Sequence, residues 1–174
     1  GTQPCSDQTH PVTARDSAYD YRGGVAQVPR TRSTVILVVD ASVAAKWFLH
    51  FRREEKHTHR ALEVLAGIDN GRVQMLQPPH FIAEMGAVLA REKPQDALAD
   101  LADLMAVEFE QADDPALYKT ACKLSLSLGH HLFDTLYHAV ALQTPGALLV
   151  TADRKYFDKA KTLGHITYLP DLVL

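Results

Sequence analysis

Four carboxylates stand in this chain where carboxylates are costly. Asp40 is the only acid in Val35–Leu49 (VILVVDASVAAKWFL), and Glu84 is the only one in Phe81–Ala90 (FIAEMGAVLA). Asp134 is the only acid in Leu132–Leu142 (LFDTLYHAVAL), and Asp153 closes the apolar run Ala147–Ala152 (ALLVTA). An ionised carboxylate among apolar neighbours costs several kcal/mol unless something compensates it. One such acid can be a satisfied core residue, whereas four suggest a shared cation. Oxygen donors without sulfur partners suit a hard divalent ion. Two ions ~3.5–4 Å apart are the usual arrangement for phosphodiester hydrolysis.

The elements that must position these acids alternate from Val35 onward. Val35–Val39, Val73–Gln77, Val107–Gln111, Ala147–Val150 and Ile166–Leu169 read as short strands. Helical spacing is expected over Ser42–Leu49, Glu54–Ile68, His80–Glu92, Pro94–Ala106, a segment from Asp113-Asp114-Pro115 to Gly129, Asp134–Gln143 and Arg154–Leu163. Leu98, Leu101, Leu104 and Met105 are expected on one face of the fourth helix. Alternating apolar strands and helices predict an α/β fold, a mostly parallel sheet covered on both faces. In such a sheet, Asp40 and Asp153 fall just beyond the carboxyl ends of strands, where ligand crevices form. Asp134 falls at a helix start, where the dipole and free N–H groups favour negative charge. Glu84 shares a helix face with His80, Phe81, Ala87 and Val88.

Composition sets wider bounds. At 174 residues, the chain is one domain plus an appendage, and Gly1–Thr34 reads as a flexible tail or linker because it is polar and lacks an apolar period. Residues 35–174 then form the folded domain. A net charge of −3 argues against a general nucleic-acid coat protein while leaving room for a nuclease, whose own acids lower the total. No apolar stretch approaches the ~20 residues of a membrane span, and no secretory pattern is visible, which points to the cytoplasm. Cys5 and Cys122 match no metal or redox spacing, and Cys122 reads as a buried small hydrophobe.

Every candidate has a simpler reading. Asp40, Asp134 and Asp153 could each cap a helix, and Glu84 could be a solvated helix residue. Cations for substrate phosphates are sought beside the acids, in Arg154, Lys155, Lys159 and Lys161 after Asp153 and in Lys46 after Asp40; a solvated helix face is the alternative. His138 lies four residues after Asp134, a spacing that could seat a transition metal, but the histidines are expected to be satisfied polar or surface groups. Met75, Met85, Met105 and Trp47 read as core.

Four runs carry a resemblance. Val39-Asp40-Ala41-Ser42-Val43-Ala44, Phe81-Ile82-Ala83-Glu84, Phe133-Asp134-Thr135-Leu136-Tyr137-His138-Ala139 and Thr151-Ala152-Asp153 resemble, in order and spacing, the PIN-domain ribonucleases. The resemblance extends to the VapC-like toxins of toxin–antitoxin pairs, and it covers Val35 to about Leu169. It implies a three-layer α/β/α sandwich and an acidic metal site of Asp40, Glu84, Asp134 and Asp153. Ser42 and Thr151 would orient the carboxylates. It further implies Mg²⁺ or Mn²⁺ dependence, RNA hydrolysis by a metal-activated water, a homodimer and a small antitoxin partner. His138 and the N-terminal extension depart from the family pattern. A PIN-like binding module without catalysis is the alternative from another class. A receiver-type or phosphate-transfer domain fits less well, since Asp40 stands alone rather than in an acidic pair.

Overall fold

The computed structural model describes residues 34–52 and 55–174. The expected flexible extension, Gly1–Thr34, lies outside the described residues up to its last position. Among the described residues, five strands, β1 (Val35–Val39), β2 (Val73–Gln77), β3 (Glu110–Gln111), β4 (Ala147–Thr151) and β5 (Ile166–Tyr168), form one sheet in the order β3-β2-β1-β4-β5. Every pairing is parallel. Leu37, Val38 and Val39 of the central strand are fully buried, as expected of a strand covered on both faces.

Among the described residues, seven α-helices flank the sheet: α1 (Ala41–Leu49), α2 (Thr58–Asp69), α3 (Phe81–Glu92), α4 (Ala97–Ala106), α5 (Ala116–Leu128), α6 (Leu132–Gln143) and α7 (Arg154–Ala160). Helix α1 packs on α2 and α3, while α5 and α6 form an antiparallel hairpin whose far ends meet where Gln143 donates to Ala116 O and Thr120 Oγ1. The result is the expected three-layer α/β/α sandwich. Gly129, at φ 54°, closes α5 in the left-handed conformation that glycine tolerates.

The strand order places the site. From β1 the chain passes to β2 on one side and later returns to β4 on the other, so the order reverses at β1. The crevice beyond the carboxyl ends of β1 and β4 is therefore the topological switch point. Asp40 follows β1 directly, and Asp153 follows β4 by two residues.

Several expectations need correction. Helix α6 begins at Leu132 rather than Asp134, because the extended backbone of His131 serves as its N-cap; Asp134 thus sits inside the first turn. Helix α2 begins at Thr58 rather than Glu54, after His57 turns the chain at φ 61°. The strand expected over Val107–Gln111 shrinks to two paired residues. Leu104 is buried, but Leu98 and Met105 are 86% and 65% exposed. They form a stripe about 100° away from Leu104 around α4, so the core stripe is narrower than the apolar sequence. Cys122 is exposed rather than buried. Met75, Met85 and Trp47 do lie in the core, with Trp47 Nε1 donating to Ala61 O at 2.8 Å.

Candidate active site

Asp40 is held by both strands of the switch point. Its own N–H donates to Val150 O at 3.1 Å, extending the β1–β4 ladder one residue past the strand. On the other flank the register pairs Val35–Val73, Ile36–Gln74 and Leu37–Met75 and then stops. The fully buried Gln77 amide takes over there: its Nε2 donates to Val39 O at 2.8 Å, and its Oε1 accepts from Val39 N at 3.2 Å. The residue before Asp40 is thereby clamped by a side chain acting as a strand.

The Asp40 carboxylate occupies the N-cap position of α1 without making a capping hydrogen bond. Instead Ser42 Oγ donates to Oδ2 at 2.7 Å and Thr151 Oγ1 donates to the same oxygen at 2.5 Å. Among the described residues, no donor meets Oδ1. Ser42 also accepts from Ala152 N at 3.0 Å, and Thr151 Oγ1 accepts from Asp153 N at 3.0 Å, so the two hydroxyls stitch the acids' loops together.

The other acids arrive on three further segments. Glu84, in the first turn of α3, accepts a hydrogen bond from Tyr137 Oη at 2.7 Å, and His80 Nε2 lies 3.4 Å from the same oxygen. Asp134 Oδ2 lies 3.0 Å from His130 Nε2. Each of these acids thus has a histidine one helical turn before it. Asp153 caps α7 by accepting from Lys155 N and Tyr156 N at 2.8 and 3.1 Å through Oδ1. Of the three capping readings, only this one is realised.

Asp40, Glu84, Asp134 and Asp153 line one cavity of about 450 Å³. Their electrostatics show the crowding. Burial pushes the Asp40 carboxyl up to about 6; the Thr151 and Ser42 hydrogen bonds oppose this, while Asp134 and Glu84 add to it. Asp134 is likewise pushed up to about 6, by burial first and then by Glu84 and Asp153. Burial also raises Glu84, but its contacts with His80 and Tyr137 outweigh that and hold it below the usual range. Tyr137 is pushed far above its ordinary value by burial and by Glu84, so its hydroxyl stays a donor. These oxygen donors and their mutual repulsion fit a divalent cation. Among the described residues, no cluster of three or more His, Cys, Asp or Glu side chains is drawn in tightly enough to hold a metal ion alone.

The expected cations divide. Lys46 lines the cavity and pairs with Glu55 at 2.6 Å. Arg154, Lys155 and Lys159 do not line it. Arg154 pairs with Asp158 at 2.9 Å and lies over the Phe157 and Tyr168 rings, and Lys159 donates to Gly129 O at 3.0 Å. Lys161 also pairs with Asp158. Arg52 and Arg91, which the sequence did not single out, do line the cavity. Also unforeseen were Tyr137, Gln77 and the proximity of His130 to Asp134, whereas His80 lies on the helix face expected to be shared with Glu84. His138 is a satisfied core histidine: its ring nitrogens lie 3.0 Å from Tyr156 Oη and 2.8 Å from Gly164 O.

Comparison with known proteins supplies the lineage. The PIN domain family matches residues 37–163. Among solved structures, the crystal structure of PAE2754 from Pyrobaculum aerophilum superposes with a TM-score of 0.54 at 24% identity, covering 79% of this chain and 90% of that one. At that identity the likeness speaks for the fold alone. No curated protein matches the chain significantly. The family match spans the strands and helices that carry every one of the four acids, and the chain belongs to the PIN-domain family, whose members are generally metal-dependent nucleases.

Proposed function

We infer that this chain is a divalent-metal-dependent endoribonuclease and the toxin of a toxin–antitoxin pair. One observation carries the nuclease reading. Four acids from four separate segments line a single cavity at the switch point of the sheet, where Asp40 and Asp134 raise their carboxyls to about 6 through burial and neighbouring charge. A helix-capping role accounts for Asp153 but not for the other three.

Asp40, Glu84 and Asp134 would hold Mg²⁺ or Mn²⁺, directly or through water, and Asp153 would complete the negative pocket with its second oxygen. When bound, the ion supplies an acidified water and a counter-charge for phosphoryl oxygens. Ser42 and Thr151 fix one oxygen of Asp40 and so aim the other. Tyr137 does the same for Glu84.

The toxin role, a small antitoxin and a homodimer rest on the likeness to VapC-like proteins. An antitoxin would fill the cleft with a basic side chain, and arginine suits because its planar fork matches carboxylates. Purified protein incubated with RNA should cleave in Mg²⁺ or Mn²⁺ and not in EDTA. Asp134→Asn should keep the fold and lose at least ~100-fold in rate, within the range that electrostatic groups contribute. Full activity in Asp134→Asn, or cleavage indifferent to EDTA, overturns the assignment. Co-expressed antitoxin should restore growth arrested by the wild-type chain, and light scattering should give twice the chain mass.

A further inference from the structure

The cavity that holds the four acids also carries Lys46, Arg52 and Arg91 at its other end, together with their partners Glu55 and Glu92. Helices α1 and α3 pack against each other, with Asp40 and Glu84 at their N-terminal ends. Lys46 follows one face of α1, Arg52 lies just past its end, and Arg91 occupies the last turn of α3; all three line the same cavity. Between the two ends the wall is apolar, formed by Ala45, Leu49 and Val88. From Glu84 to Arg91, the helical rise gives about 10 Å. That is about three stacked nucleotide steps of about 3.4 Å.

The cations are held in place rather than left loose. Arg52 Nη1 lies 2.8 Å from Glu92 Oε2, and its Nη2 donates to the Glu92 carbonyl. Arg91 Nε contacts the other carboxylate oxygen at 2.7 Å. One glutamate therefore gathers two guanidinium groups at the mouth of the cleft, while Glu55 holds Lys46. Each arginine fork keeps further N–H groups for an anion. The cations of α7 are differently placed, since Arg154, Lys159 and Lys161 do not line the cavity and are engaged by Asp158 and Gly129 O.

We propose that Arg52 and Arg91, aided by Lys46, form the phosphate-binding arm of this cleft, along which single-stranded RNA leads away from the four acids. This rests on the nuclease reading and adds the path of the strand. Glu92 acts as a positioning residue: it orients both guanidinium groups and competes with phosphate for them.

The test is fluorescence anisotropy with a labelled, mixed-sequence single-stranded RNA in Ca²⁺, titrated across a salt series, with cleavage followed separately in Mg²⁺ or Mn²⁺. A single-stranded contact contributes about 0.7 to the slope of log K against log salt, so the Arg52→Gln/Arg91→Gln double variant should lower that slope by about 1.4. Its affinity at low salt should fall about tenfold or more. The exposed Arg91→Gln alone should show half the slope change, which guards against a double variant that folds poorly. Replacing Arg154, Lys155 and Lys159 together by Gln should leave affinity and slope at wild-type values. Glu92→Gln should tighten binding, whereas a merely structural clip would loosen or ignore it. Wild-type cleavage combined with unchanged RNA binding in the double and Arg91→Gln variants, or a lost slope in the α7 variant, overturns the arm and leaves the nuclease intact. Wild-type protein that neither binds nor cleaves overturns both.

Discussion

Replacing Asp40 by asparagine should stabilise the metal-free protein while abolishing cleavage. Asp40 is 8% exposed, and its carboxyl is raised from 3.8 to about 6, chiefly by burial. Its native pKa therefore lies above its unfolded one, so the native state binds the extra proton between those values. The associated stability is complete below about pH 4 and is lost as pH rises through about 6. At pH 7.5 the loss amounts to about 3 kcal/mol, at 1.36 kcal/mol per unit. That loss is already net of the hydrogen bonds that Ser42 and Thr151 make to the charged form, and asparagine, neutral like the protonated acid, escapes it. The gain is therefore up to about 3 kcal/mol, which at about 2–4 °C per kcal/mol is a rise of roughly 6–12 °C in melting temperature for a domain of this size. Mg²⁺ at ten times its dissociation constant should add about 1.4 kcal/mol to the wild type and less to the variant. Thermal melts of both proteins in EDTA and in Mg²⁺, at pH 7.5 and pH 4, read all these signs. If Asp40→Asn melts below wild type at pH 7.5 in EDTA, or keeps the same advantage at pH 4, the carboxylate is a structural hydrogen-bond acceptor and not a strained ligand.

Three further outcomes follow from the same contacts. Thr151→Val removes a donor that favours the ionised Asp40, so the acidic limb of the kcat/KM–pH profile should move to higher pH; an unmoved limb would show that Asp40 does not govern it. Gln77→Leu leaves both the N–H and the C=O of Val39 unpaired in the core and should cost about 1–3 kcal/mol for each group, measurable as a lower urea midpoint. Glu84→Gln should relieve growth arrest in cells expressing the chain, and arrest as severe as wild type would count against nuclease toxicity.

The acids were legible because each interrupts an apolar run, and strands of β-branched residues make such interruptions conspicuous. Asp40 and Asp153 were placed correctly at strand ends by that signal alone. Asp134 was read as the helix start, two residues late, because the extended His131 carries no local mark of a cap. The basic arm was not legible. Adjacency to Asp153 drew attention to Arg154, Lys155 and Lys159, yet α7 turns Arg154 toward Asp158 and two aromatic rings. Arg52 and Arg91 meet only because α1 packs on α3, and no periodicity encodes that approach. Tyr137 and Gln77 were hidden for a related reason. Tyr137 sits in an apolar stretch and Gln77 at the end of a short strand, and in each case only the distant partner reveals what the polar atoms do.

The Gln77 clamp gives the crevice two unequal jambs. On the β4 side, Asp40 is tied by main chain to main chain, through Asp40 N to Val150 O. On the β2 side, the tie passes through a side chain whose rotamers can release both bonds to Val39 together. Any breathing that widens the crevice is cheaper on that flank, because one amide swings aside while no peptide ladder has to open. Two neighbouring amide protons then keep separate clocks. In hydrogen exchange, the Val39 proton should report the hinged jamb and the Asp40 proton the fixed one, with Val39 exchanging first.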